Sequence, residues 1–312
     1  PIHSAVLMSS SLASVMKSPT DDANRRDYGA DAKVANGFAI AEYDEADLLV
    51  LDNLSDGSFK NATLCEVRQT GARLVRLDRK TDKGGHPKQS DADWQDEIKF
   101  LQTTVDANVV SLKGIVKGRK AFLTEYCDMG SLRQCLSRAS PWFAQVQHNR
   151  KYIAHGVVGG MRCLHKAGRV HRDLKCDNIL LQSAGDRCQA KLCDFGLMRR
   201  TNALRSGELA GTLWYMAPEQ AAMQVCLESD VWAFGVVLLE LYSEPYRSLF
   251  VLDEADGILQ RLKHPEKIDL SFVDVVVKEK RIRGIIRQCL VAEPSKRPSF
   301  ERLWSDLSVL SD

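Results

Sequence analysis

The sequence predicts an α+β chain of two lobes, a small β-rich one followed by a larger helical one. Three observations lead there. Short strand-like runs separated by turn residues fill the stretch from Leu48 to Leu77, and beyond Tyr126 the pattern changes to amphipathic helical spacing. The 312 residues are 44% hydrophobic and 27% charged, the profile of an ordinary globular protein. With 43 Lys and Arg against 41 Asp and Glu, the formal charge of +2 offers no broad field for nucleic acid or a membrane surface, so partners must be met by a site. The nine cysteines are scattered and include no Cys-x-x-Cys pair, which speaks for free thiols in a reducing compartment and against a disulfide framework or zinc site. The longest apolar stretch, Ser4 to Met16, is broken by serines and too short to cross a bilayer. A cytoplasmic location is expected, either of the protein or of the cytoplasmic part of a longer chain, since the numbering opens at Pro1 rather than Met.

Residues 1–45 mix Ser, Ala and Met with a charged patch and hold no period of 2 or 3.6, so they are expected to form an extension of unknown role outside a domain spanning 46–308. Leu48-Leu49-Val50-Leu51, Ala62–Val67 and Leu74–Leu77 read as strands of an antiparallel meander. After a polar loop with Gly84, Gly85 and Pro87, Ser90 can cap a helix that places Trp94, Ile98, Leu101 and Val105 on one face. Val109–Val116 and Ala121–Glu125 complete the small lobe, about 46–124. A connector at 125–128 leads to the large lobe, about 129–308, where Met129–Leu136, Ala144–Lys166, Ser229–Leu241, Asp253–Leu262 and Lys278–Leu290 carry amphipathic spacing. A cleft between two lobes is a usual place for a small ligand.

Chemistry concentrates in the large lobe. Val170-His171-Arg172-Asp173-Leu174-Lys175-Cys176-Asp177-Asn178 sets a carboxylate, a cation and an amide within six residues. Asp173 can accept a hydrogen bond from an incoming hydroxyl, Lys175 can neutralise a moving phosphoryl, and Asn178 offers an oxygen to a divalent metal. Asp194, in Lys191-Leu192-Cys193-Asp194-Phe195-Gly196, supplies a second hard oxygen of the kind Mg2+ prefers. Gly211-Thr212-Leu213-Trp214-Tyr215-Met216-Ala217-Pro218-Glu219, Asp230-Val231-Trp232-Ala233-Phe234-Gly235 and Pro294-Ser295-Lys296-Arg297-Pro298 follow in order. In this order and spacing the segments resemble the eukaryotic protein kinase family over about residues 45–308, which implies the bilobal protein kinase fold with one regulatory helix in the small lobe.

The resemblance carries local implications. Glu97 matches the regulatory-helix glutamate that pairs with a phosphate-holding lysine, and Thr124 the residue guarding the back of the nucleotide pocket. Glu125, Tyr126 and Cys127 would form the hinge, offering the Glu125 carbonyl and the Cys127 N–H to an adenine edge, with the Cys127 side chain a bystander. Leu54, Gly57, Val75 and Leu180 would line the rest of the ATP site, and Cys193 would stand beside it. Leu101, Phe195 and His171 would stack as a column, and Glu219 would pair with Arg297. Lys175 and Thr212 point to a protein substrate phosphorylated on Ser or Thr, with Thr212 touching Asp173 and Lys175, and Trp214-Tyr215-Met216 leans towards the tyrosine-kinase-like branch of such kinases. Thr201 and Ser206, near Arg199, Arg200 and Arg205, are candidates for an upstream kinase, their phosphates pairing with Arg172.

Two departures bear on activity. Of the Gly-x-Gly-x-x-Gly loop, Ser55-Asp56-Gly57-Ser58-Phe59-Lys60 keeps the middle glycine alone. The third strand, Ala72-Arg73-Leu74-Val75-Arg76-Leu77, lacks the usual lysine, whose position falls at Val75 or at Arg76. Lys60, at the third glycine position, resembles the relocated lysine of the with-no-lysine kinases, whose chloride-sensing pocket is not implied because this chain reads Asp194-Phe195-Gly196. Two readings follow: a Ser/Thr kinase using Lys60, or a pseudokinase acting as scaffold or allosteric partner, with Lys60 a solvated loop lysine.

Overall fold

Alternating apolar side chains build a six-stranded sheet in the small lobe of this computed structural model, which describes residues 40–57, 59–82, 84–204, 210–244, 249 and 254–309. Its strands are β1 (Glu42–Tyr43), β2 (Leu48–Asp56), β3 (Lys60–Val67), β4 (Arg73–Arg79), β5 (Leu112–Val116) and β6 (Ala121–Glu125), in the order β1-β5-β6-β4-β3-β2. One face buries Leu48, Cys65, Val67, Leu74, Val116, Ala121 and Leu123 as a separate small core. The other face carries Phe122 and Leu77 against helix α1 (Asp91–Thr103), with Trp94 packed 5.1 Å from Phe122. The sheet also takes in Glu42–Tyr43, assigned above to the extension: this pair adds in parallel to β5, opposite Ile115 and Val116. A two-residue strand has no period to read, and what holds it is the open edge of β5.

Ser90 caps α1 as expected, its hydroxyl accepting from the Asp93 N–H at 3.1 Å. Ser90→Ala is expected to cost about 1 kcal/mol of unfolding free energy, measurable by urea denaturation. Helix α1 stops at Thr103, however, and Val105, placed on its apolar face by spacing, is 90% exposed. The chain turns extended at Thr104, and the Asp106 carboxylate accepts from the Asn108 N–H, so a side-chain turn takes over from the helix.

In the large lobe the run from Met129 to Leu136 condenses to β7 (Gly130–Ser131) and one helical turn, α2 (Leu132–Cys135), because Gly130 sits at φ +77° and Ser131 forms a capping box with Gln134. Ala144–Lys166 divides into α3 (Phe143–His148) and α4 (Arg150–Lys166) at Asn149, whose amide donates to the carbonyls of Gln145 and Asp186. Short strand β8 (Arg169–Val170) leads to the hairpin β9 (Ile179–Ala184) and β10 (Arg187–Leu192), and β11 (Arg199–Arg200) pairs back onto β8. Then follow α5 (Pro218–Ala221), α6 (Leu227–Tyr242), α7 (Ala255–Lys263), α8 (Val273–Val276), α9 (Lys280–Cys289) and α10 (Phe300–Ser308). Helix α6 is buried on every side and forms the axis of this lobe.

Arg297 makes the expected pair with Glu219, at 2.7 and 2.9 Å, and also donates to the carbonyls of Glu228, Val291 and Ala292. A buried guanidinium with this many acceptors has exchanged its water for fixed partners. All nine cysteines are free, and among the described residues no helix is long and apolar enough to cross a membrane.

Candidate active site

Strand β3 opens on Lys60, whose side chain shares the α1-facing side of the sheet with Ala62 and Leu64. The ammonium lies 2.5 Å from Glu97 Oε1 on α1 and 2.8 Å from Asp194 Oδ1, and 5.9 Å from the centroid of the Phe122 ring. Lys60 is 6% exposed and Glu97 1%, so this is an interior charge cluster and not a surface contact. Burial works against the ammonium, but Asp194 and Glu97 outweigh it and raise the Lys60 pKa well above the ordinary lysine value. Burial likewise opposes ionisation of Asp194, and the neighbouring Lys60 overcomes it, holding the carboxyl below the usual carboxylate range.

Cross-strand register places the residues of β4. Val75 lies opposite Leu64 and Thr124, and Leu77 opposite Ala62 and Phe122, so both present apolar side chains on the Lys60 side. Arg76 pairs with Thr63 and Leu123, belongs to the opposite face, and is engaged there by Asp78 at 2.8 Å and Glu45 at 3.1 Å. Of the two alternatives left open by the sequence, only Val75 faces α1, and the row next to that of Lys60 belongs to Leu77.

The segment after β8 forms a second cluster. Asp230 of α6 accepts from the backbone N–H groups of His171 at 2.8 Å and Arg172 at 3.0 Å, while Gln220 donates to the Arg172 carbonyl. These bonds hold Arg172 at φ +70°, a left-handed conformation that a residue with a side chain adopts only under constraint. Asp173 accepts from the Thr212 N–H at 2.8 Å and from Asn178 Nδ2 at 3.1 Å, and Lys175 Nζ lies 2.8 Å from Asp173 and 2.7 Å from the Thr212 hydroxyl. Asn178 Nδ2 also donates to the Asp173 carbonyl, so its amide oxygen is turned away from this cluster.

Asp194 is left-handed too, at φ +57°, and its neighbour Cys193 donates its N–H to the Asn178 carbonyl at 3.0 Å, tying the two segments together. Phe195 lies between His171, 5.3 Å away, and Phe100, 5.0 Å away. The ring meeting it from α1 is thus Phe100, with Leu101 buried in the same core.

The donor set fits Mg2+: a carboxylate on Asp194, 38% exposed, and an amide oxygen on Asn178 freed by the double use of its nitrogen. Among the described residues no group of three or more His, Cys, Asp or Glu is arranged around a metal.

At the connector, the Cys127 N–H has no hydrogen-bond partner among the described residues, whereas the Glu125 carboxylate is committed to Lys191 and the Ser111 N–H. Burial pushes the Cys127 thiol up to about 12, leaving a neutral apolar filler. Thr124 is buried beside Val75, Leu54 is exposed at an irregularity of β2, and Leu180 is half-buried on β9. Gly57 holds a turn so tight that a Cβ would stand 3.0 Å from the Lys60 carbonyl. The structure thus joins Lys60, Glu97 and Asp194 directly, and Asp173, Lys175 and Asn178 directly, while Leu54, Gly57, Val75, Thr124, Cys127 and Leu180 stand on the surrounding strands and turns.

Thr201 is exposed, with its N–H on the Gly168 carbonyl, while Ser206 and Arg205 lie outside the described residues. Arg199 and Arg200 already face Asp93 and Asp96 of α1, at 2.9 and 3.7 Å. One residue of the site has no counterpart among the sequence expectations: Gln89, in the loop before α1, whose amide donates to Glu97 Oε2 at 3.2 Å and to the Gly196 carbonyl at 3.3 Å. A single polar loop residue outside any motif carries no signal for such a role.

Comparison with known proteins agrees with this geometry. Residues 50–307 match the protein kinase domain. The chain is 31% identical over 268 residues to the serine/threonine-protein kinase TAO3 of Xenopus laevis, covering 82% of this chain and 28% of that protein. It is 29% identical over 291 residues to the mitogen-activated protein kinase kinase kinase kinase 3 of Rattus norvegicus, and 26% identical over 282 residues to the ephrin type-B receptor 3 of Xenopus laevis. Each covers 86% of this chain, which spans only 30% and 28% of those proteins. With a β-sheet lobe, a helical lobe, the ordered motifs and a match over most of its length, the chain belongs to the protein kinase family.

Proposed function

We propose that this chain transfers the γ-phosphoryl of ATP to Ser or Thr hydroxyls of a protein substrate, with Lys60 in the place of the missing β4 lysine. The observation that carries the reading is the buried Lys60 ammonium shared by Glu97 and Asp194. A cation held by two carboxylates within the cleft, with apolar Val75 and Leu77 beside it, is positioned to exchange one carboxylate for a phosphate oxygen. Glu97 would keep it oriented through that exchange. Asp173 would accept the hydrogen bond of the incoming hydroxyl, and Lys175, already between Asp173 and Thr212, would face the charge that develops on the transferred group. Mg2+ held by Asn178 and Asp194 would supply charge neutralisation on the phosphates. The Cys127 N–H is left to pair with the adenine edge. Ser/Thr selectivity is supported by Lys175 and Thr212 and by the name of one relative, the serine/threonine-protein kinase TAO3. The same proposal includes a cytoplasmic setting, of the protein or of the cytoplasmic part of a longer chain, which fits nine free thiols, and control by an upstream kinase through Thr201 or Ser206, the latter outside the described residues.

The experiment is MgATP binding together with label transfer from γ-labelled ATP to a generic Ser/Thr protein substrate and to a tyrosine polymer. Transfer to the first alone is the expected result. The loss of two of the three loop glycines favours a second reading, a pseudokinase scaffold, and binding without any transfer would establish that one instead.

A further inference from the structure

Gln89 is 4% exposed although it belongs to a loop. Its Nε2 donates to Glu97 Oε2 at 3.2 Å and to the Gly196 carbonyl at 3.3 Å, so one side chain bridges α1 and the turn that follows Asp194. Both partners are acceptors, which dictates the orientation of the amide. A flipped amide would set its oxygen against a carboxylate. That orientation holds even though Gln89 Oε1 is buried with no hydrogen-bond partner among the described residues, an arrangement that disfavours burial unless the other end is needed. The Lys60 ammonium converges on the same point: a Cβ on Gly196 would stand 3.3 Å from Lys60 Nζ and 3.5 Å from Gln89 Nε2.

The loop behind Gln89 is itself anchored. Arg79, at the end of β4, donates to the Gln89 carbonyl and to the Asp91 carboxylate and lies over the Trp94 ring. Lys80 receives Lys88 through a backbone bond of 3.0 Å, and donates through its own N–H to the Phe59 carbonyl at 2.9 Å and through its ammonium to the Gly57 carbonyl. A continuous set of bonds therefore runs from the turn at Gly57, through Lys80 and Gln89, to Glu97 and Gly196.

We propose that Gln89 is a positioning residue, a latch that holds Glu97 of α1 and the turn after Asp194 in one arrangement. Its effect on nucleotide binding rests on the reading of Lys60 given above, whereas the latch itself does not.

The test is amide hydrogen exchange on the full chain without nucleotide, comparing wild type with Gln89→Leu, which removes the donor at similar volume, and with Gln89→Asn, which retracts it by one methylene. Peptides covering 94–101 and 193–198 are expected to exchange several-fold and up to about tenfold faster in both variants, the opening that follows from losing one or two hydrogen bonds, with α4 unchanged. MgATP affinity should fall in parallel if Lys60 holds phosphate. Wild-type exchange in both peptides would overturn the latch, as would equally faster exchange in α4, which would make Gln89 a packing residue of the whole fold. Faster exchange confined to the two peptides, with MgATP affinity unchanged, would retain the latch and remove Lys60 from phosphate binding.

Discussion

Lys60→Met is expected to abolish phosphoryl transfer, to weaken MgATP binding, and to destabilise the folded chain by about 3–5 kcal/mol at neutral pH, the usual consequence of removing one partner of a buried ion pair. Two carboxylates, Glu97 and Asp194, now share this ammonium, and neither gains a substitute cation when it goes. The pH dependence has a definite sign. Asp194 is held below its unfolded value, so its contribution is present above the ordinary aspartate range near about 3.9 and is lost as pH falls through the lower folded value. Lys60 is raised, so its contribution is complete below the ordinary lysine value near about 10.4 and is lost only as pH rises through the higher folded value. The wild-type cluster therefore contributes fully between about pH 5 and 9. In the methionine variant only the weaker fields of His171 and Lys175 still oppose the burial that favours the protonated Asp194, so that chain loses less stability on acidification than the wild type does. The gap in melting temperature between the two proteins should be wide at pH 8 and narrower at pH 5. An equal gap at both would remove Lys60 from the pH-dependent ion pair, and transfer at the wild-type rate would remove it from the reaction.

Asp173→Asn should act on the other half of the chemistry. Turnover is expected to fall about 100- to 10,000-fold, the range for removing a positioned acid–base group, with MgATP affinity within about twofold of wild type. The distinction follows from the two clusters. Asp173 bonds to Thr212, Lys175 and Asn178, not to Lys60 or Glu97, so its neutral isostere leaves the Lys60 cluster untouched. Steady-state kinetics with a direct binding measurement separates the outcomes: unchanged turnover removes Asp173 from the reaction, and a matching loss of MgATP affinity would make it a determinant of the site's shape instead.

Much of the molecule is legible in the amino-acid sequence alone. Strand and helix periods are local properties, so β3, β4, β6, α1, α6 and α9 can be read to within a few residues, as can the Ser90 cap, whose partner lies three residues away. The segments around Asp173 and Asp194 are equally readable, because a carboxylate, a lysine and an amide within six residues are close in the chain, although Asp230, Gln220 and Thr212 fix their final geometry. The Glu219–Arg297 pair follows from family resemblance across 78 residues, not from spacing.

What stays hidden depends on register and on distance along the chain. Whether Val75 or Arg76 faces α1 is a question of parity, since a one-residue slip moves every side chain of a strand to the opposite face, and pairing with β3 and β6 settles it. The β1 pair has too few residues to show a period and exists only where β5 offers an edge. Gln89 reaches Gly196 across 107 residues, and the Lys60–Glu97 bond spans 37. Local chemistry thus declares the family, while the position of the Lys60 ammonium comes from the sheet, because burying a cation between two carboxylates requires strands and helix to meet in three dimensions.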